Sequence, residues 1–528
     1  MQSRRTEPPV QHVVVVGGGA AGWMTALLLS TSTFGARLKV TVLESPTAAD
    51  LGVGEGSTPG LRGFFDSLDI DEAEWMPACN ATYKTGVAFD GWSTRPGHEN
   101  WFHPFPSMLD TLTMPTFLRN VHARLDGADV HAHPDRFFVS RRVAIEGRAP
   151  RPVHEFPFEI GYGYHLDPTL LGAFLRAKAL QRGVAHVARP MRSATLDERG
   201  DIRALELDDG DSLAADFFVD CSGSASLLIG EALKTPWVSF ADGLVNDAAI
   251  TFSTPHGDGP LMSQTVATAL GHGWAWKIPL ATHGGSGYVY SSAHLSADAA
   301  ETELRAHLGL LDADVPMRHL KMRMGRHAQH WNRNCVAIGA AQGFIDPLEA
   351  TALQSAQRAA ASLVDVLERG DVGAGARASF NDGLNARADG ERDFVVTHYK
   401  SNSRVDTDYW RANAANDALS EPLQRLLHTW LSAQPIEPGI ENGSFGIGHA
   451  TLSWYCLLAG VGVFPEVRQT AANRAGADLS GIDDLVRRST SNFPDHRAWL
   501  RDMPPHAERI TLRRQPADAG RRATLGAL

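Results

Sequence analysis

The sequence predicts an α/β fold with a parallel Rossmann-like sheet, a second sheet inserted into it, and a mainly helical C-terminal region. A short β-branched run at 12–16 precedes a glycine turn and a helix pattern rich in alanine and leucine. The stretches 217–223 and 335–340 each resemble another buried strand that enters a glycine turn. Buried strands that alternate with helices are typical of parallel sheets. We therefore expect the first domain to be discontinuous, with the inserted sheet between its later strands.

Length and composition predict a globular chain with more than one part. Single cores stop growing beyond ~250–300 residues, and this chain has 528 residues. Hydrophobic residues make up 43% and charged residues 21%, as in ordinary globular proteins. We predict a discontinuous domain with its inserted sheet at 1–390, a helical region at 391–505, and a tail at 506–528.

Charge and residue usage argue against several classes of protein. The formal net charge of -11 disfavours non-specific nucleic-acid binding, which depends on Lys and Arg at the phosphates. The four cysteines form no CxxC pair, so neither a disulfide framework nor a zinc site is indicated. The pair His131-x-His133 lacks a third ligand, and we expect no metal. No apolar run reaches the ~18–20 residues of a membrane span, so we expect no membrane anchor. The cysteine usage fits a reducing compartment, and we expect a cytoplasmic location.

The first glycine turn carries a dinucleotide fingerprint. The segment Gly17-Gly18-Gly19-Ala20-Ala21-Gly22 fits G-x-G-x-x-G, and a second strand at 38–43 ends at Glu44. Glycines let the backbone approach a pyrophosphate, the helix N-terminus offers free N–H groups, and the acid can bind a ribose hydroxyl. The predicted nucleotide-binding residues are Gly17, Gly19, Ala20, Ala21, Gly22 and Glu44. FAD and NAD remain open at this step, and a glycine-rich hairpin is predicted at 284–287.

The Trp-x-Trp-x-Ile-Pro pattern at 274–279 has two interpretations. Trp274 and Trp276 would lie on one face of a strand, and the closing proline favours a strand end. Buried indoles commonly serve as core packing. The alternative is that this strand helps to cover a bound cofactor.

A helix start at 346–349 also has two interpretations. Asp346 suits the N-cap, Pro347 the first helical position, and Glu349 the third, where it can complete a capping box. Apolar residues at helical spacing from 353 to 367 predict one long helix. The same start offers free N–H groups and a positive dipole end to an anion or a cofactor carbonyl.

Lys84 lies in an alternating stretch, 81–89, that predicts one strand with this lysine on the face opposite Thr85, Val87 and Phe89. Most lysines at such positions are solvated. A lysine becomes chemically special chiefly when it is buried, which spacing alone does not predict.

Together these motifs resemble those of the flavin-dependent halogenases of the tryptophan-halogenase group, relatives of the single-component flavin monooxygenases. The matching segments are the glycine fingerprint, the loop 52–59, Trp75-Met76-Pro77, Lys84, Trp92, Phe102-His103-Pro104-Phe105, Trp274-x-Trp276-x-Ile278-Pro279, and Phe344-Ile345-Asp346-Pro347-Leu348-Glu349. The resemblance implies an FAD-binding fold of the flavin monooxygenase type. Beyond the fingerprint, it implies cofactor contacts from Gly54, Trp274, Trp276, Ile345 and Pro347.

The resemblance also implies halogenation of an electron-rich, indole-like aromatic substrate. Reduced FAD would come from a separate, transient flavin reductase and react with dioxygen, and bromide or chloride would attack the flavin C4a-hydroperoxide. Lys84 would deliver the resulting hypohalous acid, with help from Glu349. An aromatic hydroxylase and a catalytically silent flavoprotein remain alternatives, and a homodimer is a further expectation.

By the same resemblance, the backbone N–H groups of Thr351 and Ala352 would hold the halide. Tryptophan-specific members usually have Ser-Thr-Gly where this chain has Ala350-Thr351-Ala352. A glycine needed at positive φ could not be replaced by Ala352 without a different backbone. We therefore hypothesise an altered halide pocket that prefers bromide. The substrate-pocket candidates are His103, Trp454 and Tyr455, with no recognised clamp for an amino-acid group.

Overall fold

A computed structural model describes residues 10–32, 35–46, 54–153, 156, 158, 160–256, 259–446, 448–466 and 478–503. The predicted tail at 506–528 and the first two residues of the loop 52–59 lie outside the described residues.

The parallel sheet forms behind the first glycine turn. Its strands within the described ranges are β1 (His12–Val16), β2 (Lys39–Glu44), β8 (Ala185–Ala188), β12 (Phe217–Asp220), β20 (Trp331–Asn332) and β21 (Cys335–Ala337). Their order is β20-β21-β12-β1-β2-β8, and every neighbouring pair except β20 with β21 is parallel. Both predicted returns of the chain to this sheet are confirmed.

The inserted sheet takes strands from two separate parts of the chain. In the described residues it contains β5 (Gly86–Asp90), β6 (Asn100–Pro104), β14 (Ala248–Pro255), β15 (Thr265–Ala269), β16 (Gly273–Pro279), β17 (His283–Tyr290) and β18 (Arg318–Lys321). The order is β18-β14-β17-β16-β15-β5-β6. Strand β5 pairs in parallel with β15, so the sheet extends beyond the segment from which we predicted it.

Three small sheets complete the β structure of the described residues. The first contains β3 (Glu55–Gly56), β4 (Thr82–Lys84) and β7 (Gly163–Leu166). The second contains β9 (Met191–Leu196), β10 (Ile202–Leu207) and β11 (Ser212–Ala214). The third contains β13 (Trp237–Ser239), β19 (Gly325–His327) and β22 (Gly343–Phe344). The single strand predicted at 81–89 is therefore wrong: β4 ends at Lys84 in one sheet, and β5 begins at Gly86 in another.

The hairpin predicted around 284–287 exists, but its glycines lie inside β17 and not in the turn. Gly287 pairs with Trp276 across the sheet. A Cβ atom on Gly287 would lie 2.2 Å from the Trp276 ring, so the strand needs a glycine there to accommodate the indole.

The helices of the described residues are α1 (Ala20–Thr31), α2 (Gly60–Ser67), α3 (Glu72–Ala78), α4 (Met114–Leu125), α5 (Val139–Ile145), α6 (Pro168–Gln181), α7 (Ala297–Leu308), α8 (Ala352–Arg369), α9 (Ala374–Lys400), α10 (Asp408–Ala415), α11 (Glu421–Leu431), α12 (Glu437–Glu441), α13 (Thr451–Gly460), α14 (Ser480–Thr490) and α15 (His496–Arg501). The expected helical character beyond 391 is confirmed. The predicted boundary at 390/391, however, falls inside α9, which is one continuous helix. None of these helices is long and apolar enough to cross a membrane.

The two largest hydrophobic cores of the described residues hold the architecture together. One joins the parallel sheet to α1 and α8 through residues such as Val13, Leu27 and Leu363. The other joins the inserted sheet to the C-terminal helices through residues such as Phe89 and Trp410. The functional residues lie where these two bodies meet.

The long helix begins later than predicted. Asp346 accepts a hydrogen bond from the Leu348 backbone N–H and caps one 3-10 turn, Pro347–Glu349. Ala350 then adopts a left-handed backbone with φ 54°, and α8 begins at Ala352. The capping box is therefore wrong, because the Glu349 carboxylate points to two histidines and not to a helix N–H group.

Candidate active site

A large cavity lies between the glycine turn and the inserted sheet. It has a volume of about 730 Å³, within the range of roughly 300–1,000 Å³ that is typical of small-molecule sites. The predicted cofactor and halide residues that line it are Gly19, Ala20, Ala21, Glu44, Gly54, Trp274, Trp276, Ile345, Pro347, Thr351 and Ala352. These residues, which span more than 330 positions of sequence, thus surround one space.

The glycine turn leaves room for a phosphate at the N-terminus of α1. A Cβ on Gly17, whose φ is 121°, would lie 2.1 Å from the Cys221 carbonyl oxygen, and one on Gly22 would lie 1.9 Å from the Gly17 oxygen. Those two glycines permit tight backbone packing and stand behind the cavity wall. Gly19, by contrast, has nothing within 4 Å of its Cβ position and gives α1 no side-chain cap. Uncapped N–H groups facing open space fit a pyrophosphate.

Glu44 stands at the end of β2, where it can meet a ribose. Its Oε2 atom lies 2.9 Å from His186 Nε2 and 3.9 Å from Arg176 Nη1. A Cβ on Gly18 would lie 2.0 Å from the Glu44 Cδ atom, so the carboxylate sits directly against the glycine turn. This position fits the predicted role at the nucleotide.

Trp274 and Trp276 line the opposite wall of the cavity on one face of β16, with ring centroids 6.0 Å apart. The Trp274 Nε1–H donates to Asp346 Oδ1 at 3.2 Å. Asp346 also accepts from Tyr399 Oη at 2.8 Å and from Asn246 Nδ2 at 3.0 Å. Burial raises the pKa of Asp346, while these donors oppose that shift. The network fixes the turn that presents Ile345 and Pro347 to the cavity.

Lys84 is fully buried, whereas most lysines in strands are solvated. Its Nζ atom has no hydrogen-bond partner among the described residues. The ammonium lies 5.3 Å from the centroid of the Phe105 ring. Burial lowers the pKa of Lys84 to about 8, and the nearby Glu349 carboxylate opposes that shift. Such an amine is poised to interact with a neutral or electrophilic guest.

A thin wall separates Lys84 from the cavity. A Cβ on Gly56 would lie 3.1 Å from Lys84 Nζ and 3.1 Å from the Ala350 Cβ atom. Gly56 and Ala350 both line the cavity, whereas Lys84 does not. The lysine therefore lies on the far side of this wall, at a place where one small residue meets another.

Glu349 lies on the same side as Lys84, between two histidines. His103 Nδ1 is 2.9 Å from Glu349 Oε2, and His398 Nε2 is 2.9 Å from Glu349 Oε1. Burial opposes ionisation of this carboxyl, but the charges and hydrogen bonds of His103 and His398 hold its pKa well below the usual value. The carboxylate is 4% exposed, so both contacts are shielded from water.

Each of the two histidines has a second polar contact on a C-terminal helix. His103 Nε2 is 2.9 Å from Ser453 Oγ, so the ring bridges Glu349 and the Ser453 hydroxyl. His398 Nδ1 is 3.0 Å from the Phe394 carbonyl oxygen, which can only accept. His398 Nε2 lies 2.9 Å from Glu349 Oε1 but is not aligned for a hydrogen bond. Two C-terminal helices thus hold the histidine rings against the Glu349 carboxylate.

The structure separates the three substrate-pocket candidates. His103 touches Glu349, and Trp454 packs edge-on against Phe394 at 4.9 Å, next to Ser453. Tyr455 lies elsewhere: its hydroxyl is 3.2 Å from His122 Nε2, and its ring packs against Trp430. A tyrosine one position beyond Trp454 on α13 necessarily faces another side of the helix.

Thr351 and Ala352 lie at the N-terminus of α8. Thr351 occupies the N-cap with a helical backbone, φ -88° and ψ -5°, and makes no capping hydrogen bond. Its hydroxyl lies 3.4 Å from Glu391 Oε2. Ala350, and not Ala352, has the positive φ, and Ala352 is an ordinary first helical residue. The alanine at 352 therefore does not distort the helix start.

Sequence reasoning missed His398, Ser453 and the strained Ala350. His398 is separated from Glu349 by almost the whole of α8 and α9, and Ser453 is 350 residues from His103. A buried histidine on the inward face of a helix was the only local signal for His398, and it does not indicate a partner.

Comparison with known proteins gives concordant matches. The family model described as tryptophan halogenase matches residues 12–477. The chain is 35% identical to tryptophan 6-halogenase SttH of Streptomyces toxytricini, over 93% of this chain and 98% of that protein. It is 31% identical to tryptophan 7-halogenase RebH of Lentzea aerocolonigenes, over 94% and 99%. A crystal structure of a thermophilic tryptophan halogenase from Streptomycin violaceusniger matches with a TM-score of 0.82 and 32% identity, covering 92% of this chain and 100% of that one.

Proposed function

The chain belongs to the flavin-dependent tryptophan halogenase family, an enzyme family, and from this premise we propose that it halogenates an electron-rich, indole-like arene through Lys84. The observation that carries the proposal is the buried, unpartnered Lys84 amine beside Glu349, behind the wall of the cofactor cavity. An isolated buried amine is costly for a fold, and a role in binding a reactive guest accounts for it.

The residues of the cavity fit FAD. The glycine turn and the N-terminus of α1 would hold the pyrophosphate, Glu44 the ribose, and the wall formed by Trp274, Trp276, Ile345 and Pro347 the ring. When bound and reduced by a separate flavin reductase, FAD supplies the activation of dioxygen that oxidises halide to hypohalous acid. Gly54 lies at the edge of this ring site, with Ile278 and Leu280 against it.

Lys84 would receive hypohalous acid at the Gly56–Ala350 wall. Its ammonium donates a hydrogen bond to the oxygen and polarises the bond between oxygen and halogen. Attack by an arene carbon forms the carbon–halogen bond and breaks the oxygen–halogen bond, and the departing hydroxide takes the Lys84 proton to give water. Glu349 stabilises the cationic ring and accepts its proton, and transfer of a proton from Glu349 to Lys84 then restores the ammonium and the carboxylate. The balance is arene plus hypohalous acid to haloarene plus water.

The substrate class follows from the surroundings of Glu349. His103, Phe394, Trp454 and the His449 ring stacked on Phe394 at 3.7 Å form an aromatic wall suited to a flat ring. Electrophilic substitution needs an electron-rich arene, and indole meets both requirements. The relatives named above carry tryptophan in their names, which supports an indole ring as the acceptor.

The proposal is tested with purified protein, FAD, a flavin reductase, NADH, dioxygen, bromide and indole. Mass spectrometry should show the isotope pattern of bromine in the product. A gain of one oxygen instead would indicate a hydroxylase, and no product across a panel of electron-rich arenes would overturn the proposed activity.

The role of Lys84 is tested with Lys84→Ala. This variant should lose halogenation while reduced FAD is still reoxidised, because the oxidative step occurs on the other side of the wall. Lys277→Ala is the matched control, since Lys277 is exposed on β16. Halogenation by Lys84→Ala at the wild-type rate would remove Lys84 from the mechanism.

We further propose that bromide is preferred to chloride. The halide would meet the N–H groups at the start of α8 beside the Ala350 methyl group, and bromide gives up its hydration more easily than chloride at such an apolar edge. Rates in bromide-only and chloride-only buffer check this. Equal rates would refute the preference.

A further inference from the structure

A stripe of polar residues leads away from the N-terminus of α8 along the wall of the cavity. Thr351, Ser355 and Arg358 follow one face of the helix, and Arg387 and Glu391 face them from α9. All five line the cavity. The rise of about 1.5 Å per residue places Arg358 roughly 10 Å along the helix from Thr351. None of these residues except Thr351 has a role in the function proposed above.

The two arginines make no direct polar contact among the described residues. Arg358 and Arg387 make no hydrogen bond or ion pair with any part of the chain that the structure describes. Arg326, which lines the same wall, is held instead by both carboxylate oxygens of Asp389 at 3.0 and 2.9 Å. Burial and the like charge of Arg387 lower the pKa of Arg358, while the Glu391 carboxylate opposes that shift. Both cations interact with one carboxylate, Glu391, so the pair keeps net positive charge that can attract an anion.

Glu391 reduces the net positive charge around Arg358 and Arg387. Its carboxylate is 8% exposed and accepts from Ser355 Oγ at 3.1 and 3.0 Å and from Thr351 Oγ1 at 3.4 Å. Its contact with the Thr351 hydroxyl lies at the start of α8, where Thr351 makes no capping hydrogen bond and the first N–H groups of the helix remain free. Its negative charge also offsets one of the two arginines.

We propose that Arg358 and Arg387 form a capture site for halide, from which the ion moves along α8 to the free N–H groups at Thr351 and Ala352. The inference rests on the proposed halogenase function and identifies how its anionic substrate enters the cavity. Glu391 sets the affinity of this capture site, because a full pair of uncompensated arginines would hold the ion more tightly.

The first test compares Arg358→Gln, Arg387→Gln and the double variant with wild type. The bromide concentration that gives half-maximal halogenation should rise by roughly three- to tenfold in the double variant, which is the effect of removing two charges at this distance in a partly solvated site. Excess bromide should restore most of the rate. Arg369→Gln is the matched control, since Arg369 ends α8 with its side chain 70% exposed. An unchanged bromide dependence in the double variant would overturn the capture site.

The second test needs no turnover and uses the protein without added flavin. Binding of chloride broadens its nuclear magnetic resonance line, and this broadening should weaken in the double arginine variant. Glu391→Gln should increase it and should also lower the half-saturating bromide concentration. Opposite effects from neighbours in one cluster cannot come from a damaged fold. Wild-type broadening in both variants would overturn the proposal, even if no arene were halogenated and the proposed function had failed.

Discussion

At the scale of single residues, burial of the Lys84 amine lowers the stability of the fold but places the amine where the proposed chemistry needs it. It is 0% exposed, and burial lowers its pKa from 10.5 to about 8. A shift of that size corresponds to a cost of about 3 kcal/mol for keeping the amine charged in the folded protein. The charged amine lies near Glu349, where we propose that it binds and polarises hypohalous acid.

Lys84→Met should therefore stabilise the protein while it abolishes halogenation. Methionine has a similar length and no charge, so the free energy of unfolding at pH 7 should rise by about 2–3 kcal/mol. The folded protein binds fewer protons than the unfolded chain between pH 8 and 10.5, so the stability of the wild type rises over this window and the gap to the variant closes. Denaturant unfolding at several pH values measures both effects.

Lys277→Met is the control for that comparison, because Lys277 is exposed and its replacement removes no buried charge. A destabilised Lys84→Met variant at pH 7 would mean that the ammonium has a favourable partner in solution, and the assignment of a free amine would fail.

At the scale of elements, the turn between Glu349 and α8 determines how the two sides of the site meet. Asp346 starts the 3-10 turn, Glu349 ends it facing the histidines, and Ala350 reverses the chain with φ 54°. The next residues open α8 toward the cavity. One turn thus places the proton acceptor and the halide N–H groups on opposite sides of a single peptide segment.

Ala350→Gly should relieve strain in this turn. Left-handed backbone costs an L-residue roughly 1 kcal/mol that glycine avoids, so the free energy of unfolding should increase by about 0.5–1 kcal/mol. The substitution also removes the methyl group that faces Gly56. We expect more hypohalous acid to escape unused, which is measured as reduced FAD consumed per haloarene formed.

An alanine-to-glycine substitution inside a helix should lower the free energy of unfolding instead of raising it. Ala361 is an exposed interior position of α8, where Ala361→Gly should destabilise by about 1 kcal/mol. If Ala350→Gly were destabilising to the same extent, the left-handed turn would not be the conformation in solution.

At the scale of the whole molecule, the features that could be predicted from the sequence are those with local signals. The order of β1, the glycine turn, α1 and β2 follows from residues adjacent in the chain, and the apolar spacing of α8 identifies its buried face. The break at Thr85 has no such signal, because it depends on β4 and β5 joining different sheets. That break is what carries Lys84 into the interior.

In the candidate site, too, some features have a local signal in the sequence and others have none. The cofactor wall was predictable because each contributing motif recurs as a recognisable local pattern. The cluster around Glu349 was not, since His103 and Glu349 are 246 residues apart and meet only when the C-terminal helices pack on the inserted sheet. Pairing across such separations is set by the tertiary fold and leaves no periodicity in the sequence.

This division between a cofactor side and a substrate side predicts that the two half-reactions can be separated. Trp454 packs within the C-terminal core beside Phe394, on the side of the wall that holds Lys84. Trp454→Leu should lower halogenation of indole at least tenfold, because it removes part of the aromatic wall. Halide oxidation should continue, which is measured by trapping hypohalous acid with a small diketone in solution and by following FAD reoxidation.

Trp430→Leu is the matched control for this prediction. Trp430 is a fully buried tryptophan of the same core, but its ring packs against Tyr455 and its Nε1–H donates to the Val463 carbonyl oxygen, away from Glu349. It should lose stability without a selective loss of indole halogenation. If Trp454→Leu lost halide oxidation and arene halogenation in parallel, the wall of Gly56 and Ala350 would not separate two reactions, and hypohalous acid would have to form within reach of the arene itself.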